Sequence, residues 1–169
     1  MQNTIVTQRL RLTALTAIDA DFIYELVNTP DWLKFIGDRM VSTKEKAEIF
    51  VRSVIHSLSV NYWVVRLHEQ NNHPIGIVSL VKRDFLDFPD VGFAFLPTYT
   101  KQGFAFEATT ALLRHLAEEN GYSKILATTS KDNSSSISLL LKLGFHFDRE
   151  LKADGEELLI YAASTNQFL

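Results

Sequence analysis

The stretch Asp90-Val91-Gly92-Phe93-Ala94-Phe95-Leu96-Pro97-Thr98-Tyr99-Thr100-Lys101-Gln102-Gly103-Phe104-Ala105-Phe106-Glu107-Ala108 decides the fold, because it reads as a buried strand, a short loop and the first turns of a helix. A strand that delivers a glycine-bearing loop onto a helix N-terminus gathers unpaired backbone N–H groups at the positive end of a helix dipole. That arrangement is a seat for a phosphate. The loop is not a Walker loop, since no Gly-Lys-Ser/Thr follows, and not a dinucleotide fingerprint, since Gly-x-Gly-x-x-Gly is absent. Taken alone, Gly103 is no more than the permissive residue of a strand-to-helix turn, so the rest of the chain has to decide what the loop does.

Upstream, Arg9 to Leu15 alternates polar and apolar residues as a half-buried strand, and Thr16 offers an N-cap with Asp19 three residues on, ahead of an apolar-periodic helix that Pro30 ends. An irregular segment, Asp31 to Arg39, leads to Ser42 or Thr43 as the cap of a helix running to about Ser59. The period then changes to that of strands. Tyr62 to Leu67, Ile75 to Val81 and Val91 to Leu96 predict an antiparallel meander. Downstream, a helix from Gly103 to about Asn120 carries Phe104, Ala108, Leu112 and Leu116 on one stripe, with Gly121 as its stop. Lys124 to Thr129 is a buried strand that a helical crossover makes parallel to its predecessor. Asn133 caps a short helix closed by Gly144, and Phe145 to Leu151 pairs with Glu157 to Ala162 across Asp154-Gly155. The expectation is one mixed α/β (α+β) domain over residues 1–169, with a twisted, mostly antiparallel sheet of about six to seven strands and about four helices.

Composition narrows the function. The net charge of −3 excludes a broadly cationic protein, and no local basic patch suggests nucleic acid or an anionic membrane as partner. With no cysteine there are no disulfides, thiolate nucleophiles or cysteine metal sites. The five histidines, His56, His68, His73, His115 and His146, have no metal-ligand spacing, so no metal is expected. The start Met1 to Thr7 lacks the pattern of a signal peptide, and no apolar run approaches the ~20 residues of a spanning helix. A cytoplasmic protein, monomer or homodimer, is expected.

Four motifs in one order change the weight given to Gly103. Thr7-Gln8-Arg9-Leu10-Arg11-Leu12, Gly92-Phe93-Ala94-Phe95-Leu96-Pro97, Gln102-Gly103-Phe104-Ala105-Phe106-Glu107-Ala108, and Asn133-x-x-Ser136 with Lys142-Leu143-Gly144-Phe145 resemble the GCN5-related N-acetyltransferase (GNAT) superfamily, and within it the RimJ/RimL-like ribosomal-protein N-terminal acetyltransferases. The resemblance implies the GNAT fold and the binding of acetyl-coenzyme A. The pyrophosphate would lie on the amides of Lys101, Gln102, Gly103, Phe104 and Ala105, and the pantetheine arm beside the strand at Phe95 and Leu96. Where the family begins this loop with Arg or Gln, and this branch adds an aromatic and a glycine, the chain has Thr100, Lys101 and Gln102, which leaves Lys101 to screen the phosphates.

Family roles carried onto matching positions give Asn133 as a contact to the cofactor arm and Ser136 as the donor to the departing thiolate. The plainer alternatives are an N-cap for Asn133 and a first-turn polar residue for Ser136. A backbone N–H of Phe95 or Leu96 would serve the oxyanion. Asp90 is the candidate general base, with Asp84 and Asp87 as alternatives, against a reading of Arg83, Asp84, Asp87 and Asp90 as a solvated charge cluster. For the acceptor, Trp32 and Phe35 would pack over it and Asp38 would attract a cationic amine. Equally, Trp32 and Phe35 are core anchors and Asp38-Arg39 an ion pair. The function expected is acetyl transfer from acetyl-coenzyme A to a primary amine, a protein N-terminus or a small molecule, through a ternary complex. The alternatives are a non-catalytic acyl-coenzyme A binding or sensing module and, on the phosphate seat alone, a nucleotide-binding regulator.

Overall fold

The computed structural model describes residues 4–119 and 121–169; Met1 to Asn3, at the head of the stretch read for leader signals, and Asn120, the expected end of the long helix, lie outside the described residues. The strands are β1 (Ile5–Val6), β2 (Leu10–Ala14), β3 (Val60–Leu67), β4 (His73–Val81), β5 (Asp90–Phe95), β6 (Lys124–Thr129), β7 (His146–Ala153) and β8 (Glu156–Ser164). They form one sheet in the order β1-β2-β3-β4-β5-β6-β8-β7. All pairings are antiparallel except β5 with β6, as the helical crossover between them required. β1, only two residues long, is the strand that the alternation did not reveal.

The helices are α1 (Ala20–Val27), α2 (Pro30–Phe35), α3 (Lys44–Ile55), α4 (Phe104–Glu118) and α5 (Ser134–Lys142). α2 corrects the expectation of a stop at Pro30 and an irregular segment after it. Pro30 is the first residue of that helix, where a missing N–H costs nothing. Thr16 and Asp19 form the expected capping box, the Asp19 carboxylate accepting from the Thr16 N–H and hydroxyl, each at 3.0 Å. The same buried carboxylate takes a charged hydrogen bond from Arg66 of β3 at 2.5 Å, so the cap also pins α1 to the sheet. Thr43 caps α3 by accepting the Lys46 N–H.

Two apolar cores sandwich the sheet. On one face α4 and α5 bury Phe104, Ala108, Leu112, Leu116, Leu140 and Leu143 against β2 to β6 and β8. On the other, α1, α2 and α3 bury Ile23, Leu26, Trp32 and Val51 against Val64, Ile77 and Leu96. Strand alternation therefore sends Trp63 and Val65 to the first core and Val64 to the second. β4 and β5 meet at Gly76, where the root of the Phe95 ring occupies the space a side chain would need. A β-carbon there would be 2.4 Å from Phe95 Cδ1 and 2.7 Å from the Ala94 carbonyl oxygen. Gly76→Ala is expected to lower stability by about 1–3 kcal/mol through overpacking, read by chemical denaturation, because the obstructing atoms are a ring root and backbone.

Candidate active site

β5 and β6 run side by side at one pair, Asp90 and Leu126, where Leu126 donates its N–H to the Pro89 carbonyl at 2.9 Å, and then part. Each strand keeps a full ladder on its other edge, β5 with β4 and β6 with β8. Because Leu96 donates its N–H to Ile75 at 2.9 Å, alternation turns the N–H and C=O of Phe93 and Phe95 to the opposite edge, into the gap. A cleft of about 850 Å³ passes through the sheet here, lined on one face by α4 and α5 and on the other by α2 and α3.

At the mouth on the α4 face lies the loop singled out in the sequence. Lys101 (φ +59°) and Gly103 (φ +82°) are both left-handed, which turns the chain sharply into α4. The N–H groups of Phe104, Ala105 and Phe106 have no helical acceptor, since the ladder begins with Glu107 donating to the Gly103 carbonyl. These open N–H groups lie where the sequence reading expects a phosphate to sit. Lys101, Gly103, Phe104 and Ala105 line the cleft. Gln102 does not: its side chain donates to the Thr98 carbonyl at 2.8 Å and its own carbonyl accepts from Arg9 at 3.1 Å. Leu96 is also removed from the expected set, because its N–H and carbonyl are taken by Ile75 and Tyr99 and its side chain is buried in the second core, leaving Phe95 as the edge donor.

The cradle has a support that the sequence motifs contained without declaring its role. Glu107 accepts from the Thr7 hydroxyl at 2.6 Å, the Arg9 N–H at 3.0 Å and the Arg9 guanidinium at 2.7 Å. The Arg9 guanidinium lies 4.4 Å over the Phe104 ring. On the facing helix, Lys142 sits over Phe106 at 4.4 Å and lines the cleft. Asn133 caps α5 by accepting the Ser136 N–H at 3.2 Å, and both side chains line the cleft. The cap occupies only the Asn133 oxygen and leaves its amide NH₂ for a ligand, while the Ser136 hydroxyl has no hydrogen-bond partner among the described residues.

Where the strands begin to part, Asp90 is buried, not solvated. Its two oxygens accept from Arg83 Nε at 2.8 Å and the Thr128 hydroxyl at 3.1 Å. Burial pushes its carboxyl above the ordinary aspartate range, and the charge and hydrogen bonds of Arg83 and Thr128 oppose this. Asp84 and Asp87 are exposed and do not line the cleft. Trp32 is both a core anchor and a wall of the cleft, and Phe35 lines it too. Asp38 is elsewhere: it accepts the Met40 N–H at 2.7 Å in an exposed turn, and it makes no ion pair with Arg39. Arg39 faces the cleft instead.

The comparisons with known proteins agree with this geometry. Residues 9–146 match the family model described as acetyltransferase (GNAT) domain. YnaD, an uncharacterised N-acetyltransferase of Bacillus subtilis strain 168, is 27% identical over 140 residues, covering 83% of this chain and 81% of that one. A Salmonella typhimurium acetyltransferase that modifies the N-terminal serine of the 50S ribosomal subunit protein L7/L12 superposes with a TM-score of 0.80 at 16% identity, over 96% of this chain and 99% of the other. The Vibrio cholerae spermidine N-acetyltransferase, in complex with CoA and spermine, does so with a TM-score of 0.80 at 18% identity over 96% and 99%. Those two structures share the fold.

The Glu107 network makes a pH prediction. Partial burial alone would raise its carboxyl, but the hydrogen bonds from Thr7 and Arg9 hold it below the usual glutamate range. Its contribution to stability is therefore complete above the ordinary glutamate pKa and lost as pH falls through the lower folded value. Glu107→Gln is expected to cost about 1–3 kcal/mol at neutral pH and to remove this acid-side loss from the stability profile, measured by urea denaturation between mildly acidic and neutral pH.

Proposed function

This chain belongs to the acetyltransferase (GNAT) domain family and is an acetyltransferase, and on that footing we propose that it transfers the acetyl group of acetyl-coenzyme A directly to a primary amine through a ternary complex. The observation that carries this reading is the cleft through the sheet: an open backbone edge at Phe93 and Phe95, with a helix N-terminus at its mouth and the same cleft continuing to the far face. The donor enters on one face, the acceptor on the other, and they meet where β5 and β6 part.

The residues fit the cofactor in three ways. The free N–H groups of Phe104, Ala105 and Phe106 suit a pyrophosphate, with Lys101 and Lys142 available to screen its charge. The edge N–H and C=O of Phe95, at the α4 end of the gap, suit the amides of an extended arm, which would pair with them as an added strand does. The Asn133 amide is free to hold the same arm. Acetyl-coenzyme A supplies an activated thioester: the amine nitrogen bonds the acetyl carbon, the carbon–sulfur bond breaks, the amine gives up a proton and the thiolate takes one up. Asp90 receives the amine's proton directly or through water, its raised pKa bringing it closer to that task. The Phe93 N–H, which faces the same gap and lies nearer Asp90 than that of Phe95, holds the acyl oxygen, and the Ser136 hydroxyl donates to the leaving sulfur.

Ser136→Ala is expected to lower kcat about tenfold, less than the ~10² to 10⁴ of a general acid acting on a poor leaving group, while acetyl-coenzyme A binds as in the wild type. Thiol release with a panel of amines gives the rate and calorimetry the affinity. A wild type that binds acetyl-coenzyme A yet releases thiol with none of the amines contradicts the enzymatic reading and supports a binding module.

A further inference from the structure

The pocket on the α2 and α3 face contains more than an amine needs. The register aligns Tyr62 of β3, Ser79 of β4 and Gly92 of β5 in one row across the sheet, and Val60, Val81 and Asp90 in the next. With no side chain on Gly92, the Ser79 hydroxyl is left open; a β-carbon there would stand 2.7 Å from it. Neither the Tyr62 nor the Ser79 hydroxyl has a hydrogen-bond partner among the described residues, and both line the cleft.

Two guanidiniums face this row. Arg83 uses only Nε on Asp90, which leaves its two terminal nitrogens without a protein acceptor. Arg39 lines the same half of the cleft and forms no hydrogen bond or ion pair among the described residues. Both act on the ionisation of Tyr62: burial raises the phenol, and the charges of Arg39 and Arg83 pull against it, so the three groups are electrostatic neighbours. Paired and free donors of this kind suit a planar anion such as a carboxylate.

From this juxtaposition of Arg39, Arg83 and the Tyr62 and Ser79 hydroxyls beside Asp90, we propose that the acceptor is a free α-amino acid with an apolar side chain, its carboxylate held by the two arginines. The inference rests on the acetyl-transfer reading above and names the substrate of that same site. Its central step is distance. The anion would be bound by the same guanidinium that holds Asp90, the group that receives the amine's proton, so amine and carboxylate must be separated by only a few bonds. A peptide N-terminus has no carboxylate there, its α-carboxyl being an amide. Charge agrees: Asp31 and Asp90 balance Arg39 and Arg83 in this half of the cleft, which matches a zwitterion, whereas a polyamine would meet two guanidiniums with no anion to offer. Phe35, Ile36, Phe50 and Val54 make the remaining wall apolar, which fits an aliphatic side chain.

The test compares L-leucine, L-leucinamide, 3-methylbutylamine and spermidine as acceptors for acetyl-coenzyme A, with rates corrected for the fraction of free amine. A parallel titration of L-leucine into the coenzyme A-loaded protein reads binding without turnover. The expected result is a kcat/KM for leucine at least about tenfold above the other three, with heat of binding from leucine. Arg39→Gln should bring the leucine-to-leucinamide ratio towards one through a higher KM and abolish the heat, and Arg39→Lys should recover part of both. Leucinamide or spermidine used as well as leucine, or no binding heat from leucine, overturns the amino-acid assignment while leaving acetyl transfer intact. Failure of all four acceptors with acetyl-coenzyme A bound overturns both.

Discussion

β5 and β6 share one bridging pair and then diverge, and the rest of the molecule is organised around keeping that divergence open. A gap in the middle of a sheet forfeits ladder hydrogen bonds, and any backbone group that neither a ligand nor the water of the cleft reaches loses about 1–3 kcal/mol. Here the loss is contained by full ladders on the outer edges of both strands, so that among the described residues of β5 and β6 the groups without a strand partner lie on the inner edges, at Phe93, Phe95 and Thr128. Helix packing against both faces fixes the two half-sheets where they are. The fold therefore carries an unfilled set of hydrogen bonds in its interior, next to the unfilled N–H groups that begin α4. A ligand that combines amides with a phosphate satisfies both sets at once.

Rigidity at the cradle comes from far away in sequence. Thr7 and Arg9, at the edge of the sheet, hold Glu107 in the first turn of α4, and Arg9 also holds the Gln102 carbonyl and covers Phe104. Glu107 thus has two effects: its charge complements the N-terminal end of the α4 dipole, and its hydrogen bonds fix the loop that presents the open N–H groups. A second charged network, Arg83 with Asp90 and Thr128, does the same where the strands part, joining the β4–β5 loop to β5 and β6. Each network places a carboxylate beside an arginine: Arg9 uses its further donor on the loop itself, whereas Arg83 keeps its terminal nitrogens free beside the cleft.

Much of this was legible in the sequence because the signals are local. The strand–loop–helix of residues 90–108, the Thr16/Asp19 capping box and the Asn133 cap all depend on residues within a few positions of one another. The parts that were not legible depend on register. Whether Leu96 or Phe95 turns its N–H to the gap is decided by the pairing of β4 with β5, which no short motif records. The row of Tyr62, Ser79 and Gly92 joins three strands, and only the assembled sheet shows that Arg39 and Arg83 face it. Pro30 is ambiguous for a different reason: a proline that follows one helix is also a good first residue of the next, and the sequence alone favours neither use. Asp38 lies outside the cleft because a carboxylate two residues before a left-handed position satisfies its own loop, as the Met40 N–H shows.

Residue-resolved amide hydrogen exchange with and without coenzyme A shows whether the inner edge of β5 and the first turn of α4 form one seat for the cofactor. The N–H groups of Phe93, Phe95, Phe104, Ala105 and Phe106 should exchange quickly in the free protein and become protected together when coenzyme A is added, while that of Leu96 is protected throughout. Protection of Phe93 and Phe95 already in the free protein, or no change at any of these amides with saturating coenzyme A, would contradict the shared seat.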